Sequence, residues 1–188
     1  MAEDTPRRGW RILQSEYVVE TPYLRLRRDR VELPSGLLLD DYFVRESRGF
    51  SVIFAQTADD RIVLVRQYKH GIGAGVLELP AGAIDEGETP LQCAQRELAE
   101  ETGFVAAAPG LSHAATFIAD PTNSDSRLHL FAGSGARKLV EPAPDPTEEI
   151  AVELATVDEL RRFVRDGTID VSAHIAAVYF MLDRLRLL

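Results

Sequence analysis

The chain has one cysteine, Cys93, so no internal disulfide framework is possible, and a thiol of this kind suits a reducing cytoplasm. It has no apolar run long enough to span a bilayer. Its opening, Met-Ala-Glu-Asp-Thr-Pro-Arg-Arg, lacks the apolar segment of a secretory signal. Positive charge is also scarce. Lys and Arg number 21 against 30 Asp and Glu, and the resulting net charge of -9 argues against a nucleic-acid backbone as partner. A small phosphorylated substrate is not excluded, because bound divalent ions reverse the field inside an acidic pocket. Repeats and low-complexity tracts are missing. His70, His113, His129 and His174 are scattered without metal-site spacing and read as packed or surface residues. No motif sets a base beside Cys93, which reads as a small buried residue and not as a nucleophile.

What remains is ordinary globular composition, 45% hydrophobic and 27% charged. At 188 residues the chain suffices for one well-packed domain and a small appendage. One stretch, Gly82 to Phe104, organises the rest. Five residues separate Gly82 from Glu88 and seven separate Glu88 from Arg96, after which the chain reads Arg-Glu-Leu-Ala-Glu-Glu-Thr-Gly-Phe. Thr89, Pro90 and Gln92 form the start signal of a helix, a capping box with Pro at the first position. Gly103 sits where a left-handed residue closes it. Leu91, Ala94, Leu98 and Thr102 recur at helical spacing and are expected to face a core.

Glu97, Glu100 and Glu101 fall three and four apart, so their carboxylates share a neighbouring face. The cluster repels itself, and two of its members lie at the negative end of the helix dipole. Arg96 alone is too little compensation. A hard divalent cation with oxygen ligands is the natural counter-charge; the plain alternative is a solvated acidic helix face.

Around this stretch the pattern alternates between strands and loops. Residues 1 to 9 read as a disordered tail. Strands are expected at Arg11–Val19, Leu24–Leu33 and Leu37–Arg45, an antiparallel unit too small to be stable alone. It is expected to pack on the main domain, on a second subunit, or on both. Ser51–Gln56 and Arg61–Tyr68 read as buried strands. Val76–Ala81 leads into the motif, and Ala114–Ala119, Arg127–Ala132 and Ile150–Ala155 read as further strands. The segment Glu141-Pro-Ala-Pro-Asp-Pro146 is too proline-rich for a regular element. Thr156 to Glu159 is a second capping box, opening a helix to Asp166. Ser172 is expected to cap a last helix through Leu187, with Ile175, Val178, Tyr179, Leu182 and Leu185 inward. The class is α/β.

Every specified position of the Gly82–Phe104 pattern matches the signature of the Nudix hydrolases, which the chain resembles. Its flanks, Leu-Glu-Leu-Pro-Ala-Gly, Arg-Gln-Tyr-Lys and an Asp-Pro loop followed by Leu-His-Leu-Phe-Ala, resemble the ADP-ribose and nucleoside-diphosphate-sugar pyrophosphatases. The resemblance implies an α/β/α sandwich with a mixed sheet (49–188) plus the small N-terminal antiparallel β unit (1–48). It implies a homodimer in which the small sheet exchanges with or crosses to the partner. It implies hydrolysis of the diphosphate of ADP-ribose or a related nucleotide sugar with Mg²⁺ or Mn²⁺, and neither a nucleic-acid nor a membrane partner. By motif position, Glu97 and Glu101 are the metal ligands, joined by the Ala81 carbonyl and by Glu100, which is a third ligand or a base. Arg96 and Glu88 brace the loop–helix–loop. Arg66, Tyr68, Lys69 and Pro121 are the implied substrate contacts.

The family's base commonly lies in a downstream acidic loop. Here that loop offers Glu141, Asp145, Glu148 and Glu149, with Glu148 and Glu149 as the candidates. Tyr68 and Phe50 are aromatics able to stack an adenine or simply to pack in the core. Two positions depart from the family's habit, Lys69 where Arg is frequent and Ser126 where Glu is. Two other functions fit the motif less well. A triphosphate-cleansing enzyme leaves the N-terminal unit unexplained. A non-catalytic ligand sensor is expected to have lost these glutamates and to add a DNA-binding segment.

Overall fold

The computed structural model describes residues 9–187, so the expected tail, apart from Gly9, lies outside the described residues. The chain divides into two compact units. One holds the chain up to Ser47 together with Ile118–Ser126, and the other holds Arg48–Phe117 and Arg127–Leu188.

The first unit is an antiparallel sheet of β1 (Arg11–Glu20), β2 (Arg25–Glu32) and β3 (Leu38–Glu46), in that order. Its strongly buried Asp29 accepts from Arg27 Nε at 2.8 Å and from Ser15 Oγ at 2.6 Å. The loop 118–126 is hydrogen-bonded to β3 through backbone and side-chain groups. Arg45 N–H donates to Asn123 O at 2.8 Å, and Asn123 Nδ2 donates to Phe43 O at 3.0 Å. Much of the sheet's apolar surface stays exposed, including Trp10, Ile12, Tyr17, Leu38 and Phe43.

The second unit is built on an eight-stranded mixed sheet with the main order β11-β5-β4-β10-β8. The central strand β4 (Phe50–Thr57) runs parallel to β10 (Arg127–Lys138) and antiparallel to β5 (Ile62–Lys69) and to the short β7 (Ala81–Ala83). The strands β6 (Ala74–Glu78), β8 (Phe104–Val105), β9 (Ser112–Ile118) and β11 (Ile150–Ala155) complete it. Burial follows the strand period. Val52, Phe54, Ile62, Leu64, Leu128 and Leu130 enter one core with helices α2 (Val157–Arg165) and α3 (Ser172–Arg184). Ile53, Ala55, Val63 and Phe131 enter a second core with Ala94 and Leu98 of helix α1 (Pro90–Thr102). A sheet apolar on both faces must be covered on both, and the result is an α/β/α sandwich.

Several expectations need correction. Strand β10 does not stop at Ala132. The Gly133-Ser134-Gly135 step that reads as a break is a bulge with Gly135 at φ 64°, and pairing to β4 resumes at Ala136. Ser172 is the first residue of α3 and not its cap; Val171 caps it without a side-chain hydrogen bond, and the helix ends at Arg184. Tyr179 and Leu185 are exposed, and His174, Ala177 and Met181 are buried with Val178 and Leu182, because the cores turn the helix by about one residue from the apolar pattern. Leu91 is exposed as well: in the first turn of α1 the face turned to the sheet is that of Cys93 and Ala94, both fully buried. The first compact unit takes in 118–126 as well as the N-terminal strands.

Candidate active site

The acidic face of α1 is placed by its two ends. Thr89 Oγ1 accepts from Gln92 N–H, Gln92 Oε1 accepts from Thr89 N–H at 2.9 Å, and Gly103 closes the helix at φ 75°. A Cβ at Gly103 would stand 2.4 Å from Val140 O, so the chain beyond β10 is packed directly on the cap. Leu139 N–H and Val140 N–H both donate to Gly103 O, and Ala143 N–H donates to Glu100 O at 2.8 Å. The proline-rich loop is thereby hung on the C-terminal end of α1, beside the glutamates.

Glu97 and Glu101 are buried, at 9% and 2% exposure, whereas Glu100 is half-buried. Arg96 gathers the neighbours. Its Nε and Nη2 grip Glu88 at 2.9 and 3.0 Å, its Nη1 donates to Glu97 Oε1 at 2.7 Å and Glu100 Oε2 at 3.2 Å, and its Nη2 reaches Ala83 O at 3.1 Å. That fork holds the Glu88 carboxyl below its usual range. Among the described residues Glu101 has no ion-pair partner, and it accepts from Ala81 N–H at 3.0 Å. Burial, with the charges of Glu97 and Glu148 added, pushes its carboxyl up to about 8. Glu97 is also raised, by burial first and then by Glu148 and Glu100, against the pull of Arg96.

These positions sort the expected site residues. Ala81, Glu97, Glu100 and Glu101 come together where β7 meets α1. Glu148 is exposed, and its charge raises the carboxyls of both buried glutamates. Glu149 is exposed nearby in sequence. Lys69, at the end of β5, is close enough for its charge to act on Glu101. Arg66 instead donates to Glu153 Oε1 at 2.6 Å on β11, and Tyr68 is exposed with its ring 6.3 Å from that of His70. Phe50 packs against the larger core. Pro121 is exposed and belongs to the first unit. Two residues carried no local signal: Glu78 and His174 are both buried and in contact, the His174 Nε2 to Glu78 Oε1 distance being 3.3 Å.

The donor set fits a hard divalent cation. It consists of carboxylates and a backbone carbonyl, two of the carboxylates are buried, and Gly82 leaves out the side chain that would fill the space of Glu97. Among the described residues no three such groups are already drawn together at ligand distance. Glu97 is turned to Arg96 and Glu101 to the Ala81 amide, so coordination requires side-chain rotation.

The NUDIX domain family model matches residues 46–175, and the nucleoside diphosphate sugar hydrolase N-terminal domain matches residues 10–44. The chain is 30% identical over 170 residues to the methanol dehydrogenase activator of Bacillus methanolicus, covering 90% of each chain. It is 32% identical over 168 residues to the ADP-ribose pyrophosphatase of Mycobacterium tuberculosis, covering 88% of this chain and 80% of that one. In fold it is similar to a solved structure titled as that of an ADP compounds hydrolase, with a TM-score of 0.81, 20% identity and 95% of each chain covered.

Proposed function

The chain belongs to the Nudix hydrolase family, and from that premise we propose that it cleaves the diphosphate bond of ADP-ribose or a related nucleoside-diphosphate sugar. The products are AMP, or another nucleoside monophosphate, and a sugar phosphate. The observation that carries this reading is the pair of buried glutamates, Glu97 and Glu101, with a third carboxylate, Glu148, bearing on both and a single guanidinium to offset them. Such a cluster is costly unless a cation joins it. The names of similar pyrophosphatases, together with the match to a nucleoside-diphosphate-sugar N-terminal domain, favour the substrate class.

Glu97 and Glu101, with Glu100 and the Ala81 carbonyl, are the residues that would hold Mg²⁺ or Mn²⁺. When bound, the ion neutralises phosphate charge and acidifies water. The rest falls to the chain's own groups. Arg96 holds Glu88, Glu97 and Glu100 in register, so the acidic face does not splay apart. Glu148, or failing it Glu149, takes the proton of the attacking water while the oxygen forms its bond to phosphorus; the bridging oxygen leaves with the electrons of the broken bond. Lys69 offers positive charge to the diphosphate as a flexible point charge, a looser grip than an arginine fork. Arg66, Tyr68 and Pro121 are the remaining proposed substrate contacts.

The working unit is proposed to be a homodimer, with the exposed apolar residues of the three-stranded sheet as the surface that needs covering. Among the described residues no helix is long and apolar enough to cross a membrane. The buried thiol of Cys93, pushed up to about 11 by burial, suits the proposed cytoplasmic setting. The deciding experiment incubates the protein with Mg²⁺ and a panel of nucleotide sugars and nucleoside triphosphates. AMP and ribose 5-phosphate are expected from ADP-ribose, with the highest kcat/KM on a nucleotide sugar. A triphosphate with the higher value would overturn the substrate class and leave the family standing.

A further inference from the structure

A buried polar cluster lies on the far side of the Ala81 corner from α1. His174 of α3 accepts from Leu79 N–H through Nδ1 at 3.2 Å, which leaves its proton on Nε2, facing Glu78 Oε1 at 3.3 Å. The other oxygen of Glu78 receives Gln67 Nε2 at 3.3 Å and lies 3.5 Å from Lys69 Nζ. His174, Glu78 and Gln67 are each under 10% exposed. Leu79 is followed by Pro80, whose carbonyl accepts from Ile53 N–H at 2.9 Å, and then by Ala81, whose N–H donates to Glu101. Two residues of backbone therefore separate the His174 contact from the Glu101 contact.

A satisfied core histidine is the simplest alternative, and it accounts for the hydrogen bonds. It does not account for the carboxylate. A buried charged cluster contributes little net stability compared with apolar residues of the same volume. What it does supply is geometry. It fixes where the corner turns, and its Glu78 carboxylate lies against the ammonium end of Lys69, whose side chain is half-exposed.

We propose that His174 is a positioning residue of the active site, acting through Glu78 and the Leu79 amide to set the Ala81 corner and the direction of Lys69. The inference rests on the reading of the site as a metal-assisted diphosphate hydrolase, and its test is kept separable from that reading. The histidine touches neither the substrate nor the acidic face of α1. Its effect passes through the backbone that carries Ala81 and through the carboxylate that holds Lys69.

The test compares H174L and H174Q with the unaltered protein, measuring Mn²⁺ binding by calorimetry and Mg²⁺ dependence of ADP-ribose hydrolysis. Loss of a supporting contact of this kind is expected to weaken Mn²⁺ binding and lower kcat by about 10- to 100-fold in H174L. Glutamine can both accept from Leu79 N–H and donate to Glu78, so H174Q is expected to recover to within about threefold. A folded H174L with unchanged Mn²⁺ affinity and kcat would overturn the proposal. Should H174L not fold, E78Q keeps the shape and the His174 contact but releases Lys69, and a raised KM for ADP-ribose is expected. An unchanged KM in E78Q would overturn it equally. If the unaltered protein hydrolyses no nucleotide sugar, the proposed function fails, while the Mn²⁺ titration still decides the role of His174.

Discussion

A Cβ placed on Gly82 would stand 1.8 Å from Glu97 Oε1 and 2.0 Å from its carboxyl carbon. The motif's glycine and its first buried glutamate thus occupy one space, brought together because β7 pairs Gly82 with Ser51 directly beneath α1. The atoms in conflict are the flexible end of a side chain, so Gly82→Ala is expected to fold with little change in melting temperature. Glu97 must then turn away. Activity is expected to fall by about 100-fold, in the range seen when support of metal ligands is lost. A Gly82→Ala protein with normal kcat/KM would remove Glu97 from the site.

Glu101→Gln tests the buried charge. In the folded protein this carboxyl titrates near 8, above its ordinary 4.5, because burial disfavours the anion. The folded state therefore holds the proton more tightly than the unfolded state between those values. Metal-free stability is expected to fall as pH rises from about 4.5 to about 8, and Glu101→Gln is expected to remove that fall. At pH 8 the metal-free variant is expected to melt higher than the parent, by roughly 2–4 °C per kcal/mol recovered. Its turnover is expected to drop by several orders of magnitude, and Mg²⁺ is expected to stabilise the parent but not the variant. Melting curves across pH, with and without Mg²⁺, check each part.

Between the two candidate bases, the structure favours Glu148. Its charge acts on both Glu97 and Glu101, whereas Glu149 is not among the groups acting strongly on either. Glu148→Gln is expected to lower kcat by about 10²- to 10⁴-fold, the usual worth of a general base, with Glu149→Gln close to the parent. The reverse ranking of the two variants would reassign the base.

The three-stranded sheet offers a test of assembly. With Trp10, Ile12, Tyr17, Leu38 and Phe43 exposed, the intact chain is expected to sediment as a dimer. Deleting residues 10–46 also removes the β3 groups that hydrogen-bond Asn123 and Thr122. That deletion is expected to give insoluble or inactive protein. A stable, active monomer in sedimentation would contradict the dimer.

How much of this was legible in the chain depends on the distance over which each feature is decided. The helix α1 was readable in full, because Thr89, Gln92 and Gly103 satisfy its ends within a few residues of themselves. The acidic face followed from the same spacing. Strands β4 and β5 announced burial on both faces by their unbroken apolar runs, and the sandwich follows from that. The bulge at Gly133–Gly135 was not legible, since glycine breaks and glycine bulges look alike until a partner strand shows that pairing resumes.

The amino-acid order by itself thus determined the helix, its glutamates and the strands around them, through hydrogen bonds and periodicities that close locally. Only the tertiary structure decided which distant groups meet there. It brought Glu148 to Glu97 and Glu101 by hanging the loop on Glu100 O and Gly103 O, and it set His174 against Glu78 across 96 positions of chain. Such pairings depend on how α1 and α3 settle on opposite faces of one sheet. Packing of whole surfaces fixes that choice, and no local spacing encodes it.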